Sequence, residues 1–117
     1  MKVLVVDDEQ LVRWFLQRAL TKKGYEVTVV SSTQEAELLL QNENYDLIIS
    51  DLRMPTGDGA PFINRLVESG THPPIIACSA YITPELDKDF RLKGVYTLKK
   101  PFKLSELEEA LQRVLNP

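Results

Sequence analysis

Residues 3–20 read V-L-V-V-D-D-E-Q-L-V-R-W-F-L-Q-R-A-L. An unbroken aliphatic run, Val3 to Val6, gives way across Asp7, Asp8 and Glu9 to a segment in which Leu11, Phe15, Leu16, Ala19 and Leu20 recur at helical spacing. A short continuous apolar run suits a strand of a parallel sheet covered on both faces, where no face is left for polar residues. The segment after it reads as an amphipathic helix turning those five residues inward. The unit is strand, acidic turn, helix.

Outward from this unit the same alternation continues. Further runs lie at Val27 to Val30, Leu47 to Ile49, Ile75 to Cys78 and Val95 to Leu98, with only Val27-Thr28-Val29-Val30 partly alternating. Between them fall a second helix carrying Ala36, Leu39 and Leu40, a third over Pro61 to Glu68 with Phe62, Ile63, Leu66 and Val67 inward, and a fourth with Leu86 and Phe90. The last helix carries Leu104, Leu107, Leu111 and Val114. Boundary signals agree: Gly24 follows the first helix, Ser32 and Glu35 suit a capping box, and Thr83-Pro84 places a cap before a first-turn proline. Alternating strands and helices with right-handed crossovers predict an α/β, flavodoxin-like doubly wound fold, with a five-stranded parallel sheet in the order 2-1-3-4-5 and five helices.

The 117 residues suit one domain spanning 1–117. With 44% hydrophobic and 26% charged residues the composition is that of a folded globular chain. No apolar stretch approaches the ~20 residues of a membrane span, and Met1-Lys2 leads directly into a strand without a signal peptide, so a cytoplasmic location is expected. The single cysteine, Cys78, lies within an apolar run and reads as a small buried hydrophobe; it rules out an internal disulfide. A net charge of −3 argues against direct nucleic-acid binding.

In a parallel sheet the residues just past each strand meet along one edge, and ligands bind there beside the switch point between the first and third strands. Those residues are Asp7 and Asp8, Ser50 and Asp51, Ser79 and Ala80, and Lys99 and Lys100. Two carboxylates about 5 Å apart repel by roughly 3 kcal/mol at an effective dielectric of about 20, so three together call for positive charge. A divalent cation and a lysine supply it. Oxygen donors without His or Cys suit Mg²⁺. Asp7 and Asp8 as mere caps of the first helix is the simpler alternative.

These pieces resemble a bacterial response-regulator receiver domain over essentially the whole length. V-L-V-V-D-D-E at 3–9, D-L-R-M-P at 51–55 followed by Gly57-Asp58-Gly59, P-I-I-A-C-S-A at 74–80 and K-P-F at 100–102 stand in that family's order and spacing. The resemblance implies that Asp51 is the phosphoacceptor, taking phosphate from the phosphohistidine of a sensor histidine kinase or phosphotransfer protein. It implies Mg²⁺ held by Asp7, Asp8, Asp51 and the backbone carbonyl of Arg53, with Lys100 and Ser79 assisting. It further implies a cis peptide before Pro101, a signalling switch rather than a conventional enzyme, and an output face made by the fourth helix, fifth strand and fifth helix. The resemblance leaves open homodimerisation through that face, and either a stand-alone regulator or a receiver with a C-terminal output domain outside this chain. The segment 13–20 is similar to the first helix of nitrogen-regulator receivers.

The sequence departs from the family pattern at the fifth strand. Where an aromatic residue usually precedes the lysine by three, the chain has Thr97, with Tyr96 beside it. Alternation sends Tyr96 to the face opposite position 97 unless a bulge shifts the register, so the aromatic switch is expected to be altered or absent, with Tyr96 as its local substitute. Arg53 and Tyr81, both large, flank the expected path of hydrolytic water and predict slow self-dephosphorylation. His72 precedes Pro73-Pro74 and reads as a solvated loop residue. Trp14 and Phe15 are adjacent and cannot share a face; partial burial of Trp14 against the sheet is expected over a role in docking.

Other classes fit less well. An aspartyl-phosphate hydrolase expects a second acid where Arg53 stands, and a flavin protein expects a hydroxyl- and glycine-rich loop where Asp7-Asp8-Glu9 would repel phosphate. A receiver-like interaction module that is never phosphorylated is the remaining alternative.

Overall fold

The computed structural model describes residues 1–53 and 59–116. In chain order they form β1 (Lys2–Val6), α1 (Gln10–Lys22), β2 (Glu26–Val30), α2 (Thr33–Asn42), β3 (Leu47–Asp51), α3 (Gly59–Glu68), β4 (Ile75–Ser79), α4 (Pro84–Leu92), β5 (Val95–Lys99) and α5 (Leu104–Leu115). The sheet is parallel throughout, in the order β2-β1-β3-β4-β5. The expected flavodoxin-like α/β architecture is therefore the one formed. Among the described residues no helix is long and apolar enough to cross a membrane.

Strand alternation divides the core in two. Leu4, Val6, Ile48, Ile75, Ala77 and Val95 face α2, α3 and α4, where Ala36, Phe62, Ile63 and Phe90 meet them. Val3, Val5, Leu47, Ile49, Ile76, Cys78 and Leu98 face α1 and α5, packing on Leu16, Leu20, Leu107, Ala110 and Leu111. β1, β3 and β4 are buried on both faces, which is why they read as unbroken apolar runs. β2, at an edge, is less buried, in keeping with its mixed sequence. Cys78 is fully enclosed and lies opposite Asp51 in the β3–β4 register.

Local signals position the ends. Ser32 Oγ accepts the Glu35 N–H at 3.2 Å, Thr83 Oγ1 accepts that of Leu86 at 3.1 Å, and Gly24 closes α1 with φ +87°. α3 includes Gly59 and Ala60, ahead of the Pro61 expected to open it.

Four apolar residues depart from expectation, and the first is Phe15, which was expected to face inward and is exposed. Leu11 is 77% exposed, because the row that meets the sheet is Val12, Leu16 and Leu20, spaced by four, and Leu11 stands about 100° round the helix from it. Leu104, the first residue of α5, is also exposed. Trp14 is 60% exposed instead of resting on the sheet. Together with Phe15 these residues line a groove of about 600 Å³ between α1 and α5. His72, expected in solvent, is half-buried, its Nδ1 2.8 Å from the carbonyl oxygen of Pro73.

Candidate functional site

The register brings the strand ends to one place. Val6 pairs with Ser50, so Asp7 and Asp51 emerge side by side; Ser50 pairs with Ala77 and Ser79 with Lys99, so Ser79 and Lys100 emerge next to them. The ladder runs one residue past β5: the Lys100 N–H donates to the Ser79 carbonyl at 2.9 Å. The Lys100–Pro101 peptide is cis.

Each side chain is fixed by its neighbours. Asp51, 3% exposed, accepts the Arg53 N–H on Oδ1 at 3.1 Å and the Lys100 ammonium on Oδ2 at 3.2 Å. Asp7 accepts the Glu9 N–H on Oδ1 at 2.9 Å and pairs with Lys100 through Oδ2 at 2.8 Å. Its carbonyl accepts from the Arg13 guanidinium at 2.7 Å. Ser79 Oγ accepts the Tyr81 N–H at 3.0 Å. Asp7 does not cap α1: Glu9 holds that position, without a side-chain cap.

Behind the site, Gly59 presses against the end of β3. A Cβ there would stand 2.2 Å from the Asp51 carbonyl oxygen and 2.6 Å from that of Leu52, so only glycine admits this approach. Met54, Pro55, Gly57 and Asp58 of the quoted motif lie outside the described residues.

Glu9 completes the cluster. Its Oε1 lies 3.0 Å from Lys100 Nζ, making three carboxylates on one ammonium. Sequence reading passed over it as a bonding partner; its signal was its place directly after Asp7-Asp8 at the same strand end. Asp7, Asp8, Glu9 and Asp51 each offer a carboxylate oxygen, all within 4.8 Å of one another. Four hard oxygen donors without His or Cys are a fit for Mg²⁺ and a poor one for softer metals.

Electrostatics follow from this crowding. Burial, reinforced by the nearby charge of Asp7, pushes the Asp51 carboxyl up to about 6 against the pull of the Arg53 N–H and Lys100. Burial likewise raises Asp7. Burial works against the Lys100 charge, but bonds to Asp7 and Glu9 outweigh it and hold the ammonium above its ordinary range. The site thus carries more buried negative charge than one lysine offsets.

Around it, Arg53 and Tyr81 meet, the guanidinium carbon 4.9 Å from the ring centroid. The register of β5 is regular, so Tyr96 points to the α1/α5 side of the sheet, with the Arg91 guanidinium 4.5 Å from its ring, while Thr97 is buried on the other side and donates to Asp87.

The chain belongs to the response regulator receiver domain family, which its sequence matches over residues 3–112. Receivers are the signalling modules of two-component systems, pairing with histidine kinases. It is 36% identical to the positive alginate biosynthesis regulatory protein of Pseudomonas aeruginosa, over all of this chain and 48% of that protein. It is 29% identical to the DNA-binding transcriptional regulator NtrC of Proteus hauseri, over 97% of this chain and 24% of that one. The Francisella response regulator 1452 receiver domain superposes with a TM-score of 0.86 at 31% identity, covering 97% of this chain and 94% of that one. The chain thus spans about half the length of the first of these curated relatives and about a quarter of the second.

Proposed function

We propose that the chain is a phosphorylation-dependent switch in which Asp51 takes a phosphoryl group from the phosphohistidine of a sensor histidine kinase or phosphotransfer protein. The observation that carries this reading is the pairing of Asp51 with Lys100 at the mouth of a four-carboxylate cluster: one buried nucleophile, one buried cation, and an excess of negative charge that calls for a divalent ion. Asp7, Asp8, Asp51 and the Arg53 carbonyl would hold Mg²⁺, which when bound offsets the charge of the carboxylates and of the incoming phosphoryl oxygens.

The chain's own groups do the rest. An Asp51 carboxylate oxygen attacks phosphorus, the N–P bond to the donor imidazole breaks, and the imidazole leaves with the electron pair. The Arg53 N–H and Lys100 hold the carboxylate in place through opposite oxygens. Lys100 then exchanges its carboxylate contacts for phosphoryl oxygens, where its charge counts most. Ser79 turns its hydroxyl toward the same oxygens, moving the loop that leads into α4. The product is an acyl phosphate on Asp51, and the reaction is a signalling event more than enzymatic turnover.

Incubation with Mg²⁺ and acetyl phosphate, read by intact mass, tests this. One phosphoryl addition on the wild type and none on Asp51→Asn is expected. An unmodified wild type would instead favour a receiver-shaped interaction module. The relatives' greater length supports output through a domain outside this chain, and homodimerisation is proposed at the face of α4, β5 and α5, where Asp87, Lys88, Asp89, Arg91, Glu106, Glu109 and Arg113 mix both charges.

A further inference from the structure

Tyr81 has two tethers, and both are groups that a phosphoryl group on Asp51 would attract. Its backbone N–H donates to Ser79 Oγ at 3.0 Å, and its ring lies against the Arg53 guanidinium. Ser79 ends β4 beside the site, and Arg53 stands two residues past Asp51 with its own N–H already on that carboxylate. Tyr81 is 66% exposed, so packing adds little to these tethers.

One residue further along the chain a cavity of about 370 Å³ opens between the β4–α4 loop, α4 and β5, lined by Ile82, Thr83, Pro84, Asp87, Thr97 and Lys99. It exists because position 97 is small: Thr97 is buried and its hydroxyl is committed to Asp87. Tyr96 cannot fill it, lying on the opposite side of the sheet.

Charge-assisted hydrogen bonds from a guanidinium to phosphoryl oxygens outweigh an exposed cation–π contact. A Ser79 hydroxyl turned toward Asp51 likewise carries its oxygen away from the Tyr81 N–H. We propose that Tyr81 reports occupancy of Asp51: losing Ser79 and Arg53 together, its ring leaves the mouth of the site and enters the cavity over Thr97, setting the β4–α4 loop in a second position. This rests on Asp51 being the phosphoacceptor.

The test is fluorine NMR of protein in which all four tyrosines are 3-fluorotyrosine, with resonances assigned through Tyr81→Phe and Tyr96→Phe. Mg²⁺ and beryllofluoride are added, and the same spectrum shows protein-bound fluoride. Bound fluoride with the largest shift at Tyr81 is the expected result. Arg53→Ala should move the Tyr81 resonance part of the way without beryllofluoride, and Thr97→Phe should hold it at its unliganded position while fluoride still binds. Bound fluoride with Tyr81 unmoved, or with Tyr96 moving in its place, overturns the proposal and leaves phosphate acceptance standing. A shift at Tyr81 that persists in Thr97→Phe overturns the cavity as its destination. No bound fluoride overturns phosphate acceptance itself, and the proposal with it.

Discussion

Asp51 is 3% exposed, faces Asp7, and is only partly compensated by a lysine that it shares with two other carboxylates. Such a group burdens the fold. Burial and the charge of Asp7 push its carboxyl up to about 6, so the ionised form costs on the order of 3 kcal/mol. Asp51→Asn removes the charge and keeps an acceptor for the Arg53 N–H. It should stabilise the metal-free protein by about 1–3 kcal/mol, read as a rise in the urea midpoint in EDTA. Arg53 is the residue best placed to cover a phosphoryl group, so Arg53→Ala should shorten the acyl-phosphate lifetime several-fold, measured by loss of label after removal of the donor. That Asp7, Asp51, Ser79 and Lys100 gather at one sheet edge was legible because parallel strands end together and polar residues follow apolar runs. Glu9 was not, because an acid at the start of a helix has an ordinary use there, and nothing local says that it turns to Lys100.

At the scale of elements, two contacts set how helices meet the sheet. The start of α3 lies against the Asp51 and Leu52 backbone with no room for a Cβ at Gly59. Gly59→Ala should cost about 3 kcal/mol and also slow phosphorylation, since the strand end must yield; thermal melting and phosphoryl uptake check the two effects. Further along the same face of the sheet, Asp87 accepts from Thr97 on β5 and from Arg91 at 2.7 Å, and these bonds, Thr97 first, hold its carboxyl below its ordinary value. A depressed carboxylate stabilises the fold above its unfolded value, near 3.8, and loses that contribution as pH falls through the native one. Thr97→Val should therefore lower stability near neutrality by about 1 kcal/mol and flatten its acid decline, seen in urea midpoints at about pH 6 and pH 3. The strands were legible as elements because burial on both faces leaves only apolar residues. Which row of a helix faces inward was less so: α1 offers apolar residues at 11 and 15 as well as at 12, 16 and 20, and only the docking angle chooses between them.

At the scale of the molecule, the proposed pairing of two copies once Asp51 is occupied uses the face around β5, where α4 and α5 carry mixed charges and Leu92 is exposed. Size-exclusion chromatography with Mg²⁺ and beryllofluoride should show earlier elution than without, and an unchanged volume counts against pairing. Mg²⁺ alone, at about 100 times its Kd, should raise stability by about 2.7 kcal/mol through binding only the native state. The buried cysteine makes this measurable without a denaturant. Cys78 is the chain's only thiol, enclosed at the centre of the sheet and opposite Asp51 in register. Burial also pushes that thiol well above its ordinary range, so an alkylating reagent gains access only when β4 parts from its neighbours. The rate of alkylation becomes a clock for that opening, and a ligand that grips the strand ends should slow it by a factor of about 1 + [L]/Kd.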